Sequence, residues 1–117
     1  MEYLMLVIDE DDDGEAWEPV AADFEAWVAD ADARGVRIRG NRLAPPTDAT
    51  VVKHRAGDVL LSDAPLSEAK EWVAGYDILE AATLEEAIEI ASRHPRARTG
   101  RIELYPTIPL DFPNPQH

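Results

Sequence analysis

"LSDAPLSEAKEWVAGYDILEA", residues 61–81, decides the fold. It reads as the end of one strand, a sharp turn carrying Asp63, Glu68, Lys70 and Glu71, and a second strand from Trp72 to Ala81. Asp63 has the Asx-turn habit of accepting the N–H groups that follow it, and Pro65 presets φ for the reversal. Ser67 is placed to cap a single helical turn over Glu68, Ala69 and Lys70. Two strands joined this tightly belong to a mainly antiparallel sheet, and the segments on either side supply its other strands and its helices.

Upstream, "TVVKHR" and "DVLLSD" flank Ala56-Gly57, a tight glycine-bearing turn that makes residues 50–63 a hairpin. "APPTDA", Ala44 to Ala49, cannot continue a ladder, because proline lacks the N–H that a ladder needs. Before it, Val36 to Leu43 alternates apolar residues with arginines, a strand with one wet face. Apolar residues at Trp17, Val20, Phe24, Trp27, Val28 and Ala31 recur at three-and-four spacing, so a helix turns two indoles and a phenyl ring toward the sheet until Gly35 stops it. Tyr3 to Ile8 is the first strand and a central one.

Downstream, Thr83-Leu84-Glu85-Glu86 fits the capping box. Leu84, Ala87, Ile88 and Ala91 give a helical stripe that Pro95 ends. Arg101 to Tyr105 is the last strand, and residues 107–117 form a Pro-rich tail beyond a domain of residues 1–106. The order strand, helix, strand, hairpin, strand, helix, strand is a split pair of strand-helix-strand units with a hairpin inserted. Two helices on one face of the sheet make an α+β sandwich whose other face is bare, and a second copy under two-fold symmetry is the economical cover.

Composition narrows the function classes. A chain of 117 residues fits one domain. It has no cysteine, which removes thiolate nucleophiles, disulfides and zinc–sulfur sites. A net charge of -13 repels a phosphate backbone, so nucleic acid is not expected as a direct partner. No apolar run approaches the ~20 residues that span a bilayer, so no membrane association and a cytoplasmic location are expected. No cofactor is called for. Asp9-x-Asp11-x-Asp13-Gly14 copies the first half of an EF-hand loop, but Pro19 and Val20 spoil the second half, and no metal site is expected.

Candidate site residues follow from chemistry. His54 lies in a strand on the face opposite Lys53 and Arg55, where a neutral imidazole could exchange protons with Asp63 or Asp58. Asp63, Glu68, Lys70, Glu71, Trp72 and Tyr76 are the ligand-binding candidates: Lys70 for an anionic group, Trp72 or Tyr76 as a wall, the bare sheet as the floor. His94, ahead of Pro95 at a helix end, is read as structural.

Nearly the whole chain, from the amino-terminal "YLMLVI" strand through residues 43–106, resembles the YCII-related family, in particular its DGPF branch. The match runs through Asp63, Pro65, Glu68, Lys70, Glu71, Gly75 and Tyr76, with "LAPP" at Leu43 to Pro46 and "IELYP" at Ile102 to Pro106. Ala64 and Leu66 stand where the branch signature has Gly and Phe. The resemblance implies a ferredoxin-like fold pairing as a dimeric α+β barrel, with no settled biochemical role. It implies a homodimer enclosing a small-molecule cavity at the sheet face. The alternative is a cofactor-free isomerase or lyase acting on a small ring or carbonyl compound, in which His54 or Asp63 moves protons.

Overall fold

The structure, a computed structural model, describes residues 1–10, 17–63 and 71–111. Its elements are β1 (Glu2–Glu10), α1 (Ala21–Ala33), β2 (Arg37–Arg42), β3 (Thr50–Arg55), β4 (Asp58–Asp63), β5 (Glu71–Glu80), α2 (Leu84–Ser92), the short α3 (Arg96–Thr99) and β6 (Arg101–Pro106). Four strands form one sheet in the order β2-β5-β1-β6, every neighbouring pair antiparallel. This is an α+β fold consistent with a ferredoxin-like arrangement: each helix-bearing connection leaves one sheet position free, and the other unit fills it. β3 and β4 pair only with each other, Val52 opposite Leu61 and His54 opposite Val59.

Strand alternation assigns the two sheet faces. Tyr3, Met5 and Val7 of β1 are buried and meet Trp27 and Ala31 of α1 and Ala87, Ile90 and Ala91 of α2. The Trp27 indole N–H donates to the Ile90 carbonyl oxygen at 2.9 Å, which ties the two helices together and satisfies a buried donor. Leu4, Leu6, Tyr76, Ile78 and Tyr105 project from the opposite face, which no described helix covers.

Several local details differ from the sequence reading. α1 starts at Ala21, not Trp17. Val20 is extended, and its N–H donates to the Asp23 carboxylate at 2.8 Å, so the helix begins two residues past Pro19. Trp17 therefore leaves the helical stripe and lies instead beneath the Arg98 guanidinium, 3.9 Å from its ring centre. In α2 the buried positions are Ala87, Ile90 and Ala91, while Leu84 and Ile88 face outward. The cap is as read: the Thr83 hydroxyl accepts from the Glu86 N–H at 3.2 Å. In β2 an irregularity between Arg37 and Arg39 throws Ile38 into solvent and turns Arg37 toward the helix side.

Candidate functional site

A second irregularity decides where a site can form. Tyr76 pairs with Leu6, but Trp72 pairs with Asp9, because β5 carries one extra residue where β1 passes from Val7 to Ile8. Leu6 and Asp9 point to opposite faces, so Trp72 and Tyr76 do as well, although they are four residues apart and simple alternation would align them. The two alternative candidate walls, Trp72 and Tyr76, thus lie on opposite sides of the sheet.

Past this bulge the helix side of the sheet carries small residues. Gly75 pairs with Val7 and with Arg42, and Gly40 pairs with Asp77. α1 has nothing large to pack on there, and a cleft of about 770 Å³ remains between it and β2–β5. Phe24, Trp27 and Val28 of α1 form its apolar wall, and its charged or polar lining includes Glu25, Arg37, Asn41, Arg42, Asp77, His94 and Arg96. A neighbouring groove of about 610 Å³, walled by Leu43, Pro45, Pro46 and Trp72, shares Asn41, Arg42 and Ala74 with it. Both hollows differ in place from the cavity expected on the uncovered face.

The buried groups of the cleft are held from several directions. Arg37 donates through Nε to Asp77 Oδ1 at 2.8 Å, through Nη1 to Asp32 at 3.3 Å and through Nη2 to the Gly40 carbonyl oxygen at 3.1 Å. Burial pushes the Asp77 carboxyl above the usual carboxylate range, against the pull of the Arg37 hydrogen bond and charge. Gly40 permits this arrangement, since a methyl there would fall on the Asp77 carboxylate and 2.5 Å from the Tyr76 carbonyl oxygen.

His94 follows the end of α2 and is also buried. Its ring meets Trp27 edge-on at 4.8 Å and Phe24 at 5.8 Å. Nδ1 accepts the Arg96 backbone N–H at 3.1 Å, so in the neutral ring the proton is on Nε2. Burial, helped by the Arg96 charge, pushes its pKa down to about 4. The signal available in the sequence was the unpaired aromatic pair Phe24 and Trp27, which calls for an edge to pack against.

The sequence-derived candidates scatter. His54 and Asp63 share one face of the β3–β4 hairpin, but Asp63 is opposite Thr50, four residues along the strand from His54. At ~3.4 Å per residue that puts them roughly 13 Å apart, too far for a direct or water-bridged proton transfer. Asp58 is opposite Arg55, next to His54 but on the other face. Glu71 is on the uncovered face, bound bidentately by Arg101 at 2.6 and 3.0 Å. The Arg101 hydrogen bonds hold Glu71 below the ordinary carboxylate range, and the same guanidinium also takes Glu10 and Glu103. Glu68, Lys70 and Ser67 lie outside the described residues, as do Asp11 and Asp13 of the acidic loop. Among the described residues no cluster of His, Asp and Glu could hold a metal ion, and no helix is long and apolar enough to cross a membrane.

Comparison with known proteins agrees with this architecture. The chain is similar to an uncharacterized protein of Rhizobium meliloti (strain 1021), 36% identical over 67 residues, a match covering 56% of this chain and 54% of that protein. The chain thus spans about half the length of the curated relative it matches. The model of the YCII-related domain matches residues 1–111, which include the whole sheet, all the helices and every residue that lines the cleft. The chain belongs to the YCII-related family.

Proposed function

We propose that this YCII-related protein is a homodimer that holds a small molecule in the cleft between α1 and the β2–β5 half of the sheet, while a second copy covers the uncovered sheet face. The cleft carries the reading: at about 770 Å³, with an apolar wall and a few convergent polar groups, it has the size and character of a ligand site. The lining residue Tyr76 and the neighbouring Trp72 keep their candidate roles, now on two sides of β5. Asp63, Pro65, Glu68, Lys70, Glu71 and Gly75 support placing the chain in the DGPF branch, with the β3–β4 hairpin as an insertion in a ferredoxin-like frame.

The surface supports the second copy. The chain exposes 8395 Å², roughly 2,000 Å² more than a compact monomer of 13.0 kDa. Exposed aliphatic and aromatic side chains gather on the bare sheet face, at Val73 and Tyr105, and on the hairpin, at Val52, Val59 and Leu61. A two-stranded hairpin is marginal in water without a surface to pack on, and a stable interface takes about 800 Å² from each partner.

Holding a molecule is favoured over transforming one. His54 and Asp63 do not meet, Asp77 is engaged by Arg37, and His94 Nδ1 by the Arg96 N–H. Size-exclusion chromatography with light scattering at micromolar concentration should give about 26 kDa, twice the chain mass of 13.0 kDa. Native mass spectrometry of protein purified from its own host should show a bound small molecule. A 13.0 kDa species without adduct would overturn the reading.

A further inference from the structure

We infer that the cleft takes a small monoanion with a flat apolar body, an aromatic carboxylate in chemical class, and that Arg42 grips the anion. This rests on the binding reading above and adds the ligand's chemistry and its anchor.

The argument starts from charge. The chain has 24 acidic residues against 11 lysines and arginines, so an arginine without a carboxylate is the exception. Arg34, Arg37, Arg93, Arg96 and Arg101 all have carboxylate partners. Arg42 has none among the described residues. Arg39, opposite Ile78 on the uncovered face, and Arg55, which donates to the His54 carbonyl oxygen, have none either, but neither of them lines a hollow.

Arg42 lines both the cleft and the neighbouring groove, at the point where they join. Three arginines thus border the cleft against two carboxylates, Asp77 and Glu25, and Asp77 is already bound to Arg37. Arg37 is matched by Asp77 and Asp32 and Arg96 by Asp9 and Glu18, so the uncompensated positive charge of the lining is that of Arg42. Arg96 is held over the Phe24 ring at 5.6 Å with Asp9 and Glu18 beside it, and each of the three guanidinium nitrogens of Arg37 already donates within the protein. Only the Arg42 guanidinium is left to present its fork to a ligand, the geometry that matches a carboxylate with two parallel hydrogen bonds.

The apolar surfaces define the rest of the ligand. Phe24, Trp27 and Val28 lie on one side of the junction and Leu43, Pro45 and Trp72 on the other. A planar hydrocarbon body fits against these walls while its carboxylate stays at Arg42. One free guanidinium suits a single negative charge, and a dianionic phosphate would meet the repulsion of the surrounding acidic surface.

The test is isothermal titration calorimetry of the full chain with 2-naphthoate, its neutral analogue 2-naphthamide, and inorganic phosphate. Wild type is compared with Arg42→Gln, Arg42→Lys and Ala21→Trp, the last placing an indole in the cleft from an exposed position on α1. Naphthoate should bind at least about tenfold more tightly than naphthamide, as a charge-assisted pair gives. Arg42→Gln should erase that preference while leaving naphthamide affinity and urea stability unchanged, and Arg42→Lys should restore part of it. Equal binding of the two compounds, a preference that survives Arg42→Gln, or phosphate binding as tight as naphthoate would overturn the ligand class and leave the cleft intact. Binding of neither naphthyl compound, or binding unmoved by Ala21→Trp, would bring down the cleft itself as the site.

Discussion

Protonation of His94 should be the main reason this protein loses stability between pH 7 and pH 5. The imidazole is 7% exposed, packed on Trp27 and Phe24, and its pKa is pushed down to about 4 from 6.5. A group with a depressed folded pKa binds fewer protons in the native state than in the unfolded chain. Its contribution is therefore fully present above pH 6.5 and is lost as pH falls through the folded value. Integrating between the two pKa values gives a loss of about 2 kcal/mol at pH 5 and about 3 kcal/mol in all.

Other groups titrate elsewhere or in the opposite sense. Glu71, Glu89 and Glu103 are held below the carboxylate range by hydrogen bonds, chiefly from arginines for Glu71 and Glu89 and from Tyr105 then Arg101 for Glu103, so their losses come below about pH 4.5. Asp77 is raised by burial and so gains stability as pH falls. The clean measurement is therefore a difference: urea unfolding of wild type and His94→Gln at pH 7 and pH 5. Gln keeps an acceptor for the Arg96 N–H, but the lost ring contacts should lower stability at pH 7 by about 1 kcal/mol. The gap should then close or invert at pH 5. A wild type whose stability falls no more steeply than the variant's would refute the reasoning.

Three further outcomes follow from the packing. Gly40→Ala should cost about 3 kcal/mol in urea unfolding, because a methyl there strikes both the Asp77 carboxylate and the Tyr76 carbonyl oxygen and disturbs a buried ion pair; a midpoint unchanged from wild type would contradict the contact. Val73→Lys puts a charge on the bare sheet face, where Val73 is 37% exposed in the protomer. It should weaken dimerisation at least about 100-fold in sedimentation equilibrium without unfolding the chain, as an unpaired buried charge does. Arg101→Gln leaves Glu10, Glu71 and Glu103 without their shared cation. Because Glu71 and Glu103 are depressed in the folded state, the melting-temperature deficit of the variant should be largest near pH 7 and shrink below pH 4.5; a deficit constant with pH would argue against the network.

The element order was legible because it depends on strong local signals. The Thr83 cap, the stop at Pro95, the turn at Ala56-Gly57 and the β1 run all appear where the chain pattern puts them. What the pattern hid were two register shifts, each of one residue. "EWVAGYDIL" reads as an unbroken strand, and only Gly75 hinted at a bulge, since glycine within a strand often marks one. That single extra residue sends Trp72 and Tyr76 to opposite faces, so only one of the two can wall any given pocket. His94 was missed for a different reason: its environment is made by Phe24 and Trp27, some seventy residues earlier in the chain, and its own neighbours suggest only a helix end.

The cleft is a consequence of where the sheet places its small residues. At one end of the helix side, Tyr3, Met5, Leu79 and Val36 fill the space beneath α2 and the C-terminal half of α1. At the other end Gly40, Gly75 and Ala74 offer no side chain long enough to reach α1, and the helix cannot come closer because Trp27 already bears on Ile90 and His94. The two glycine positions do not readily fill the hollow. A Cβ at Gly75 would approach the Asn41 carbonyl oxygen at 3.0 Å, and one at Gly40 would strike Asp77. Backbone geometry thus fixes glycine at both positions, and the same glycines keep the Arg42 end of the cleft open. The domain is packed at one end and hollow at the other, and its spare guanidinium stands at the hollow end.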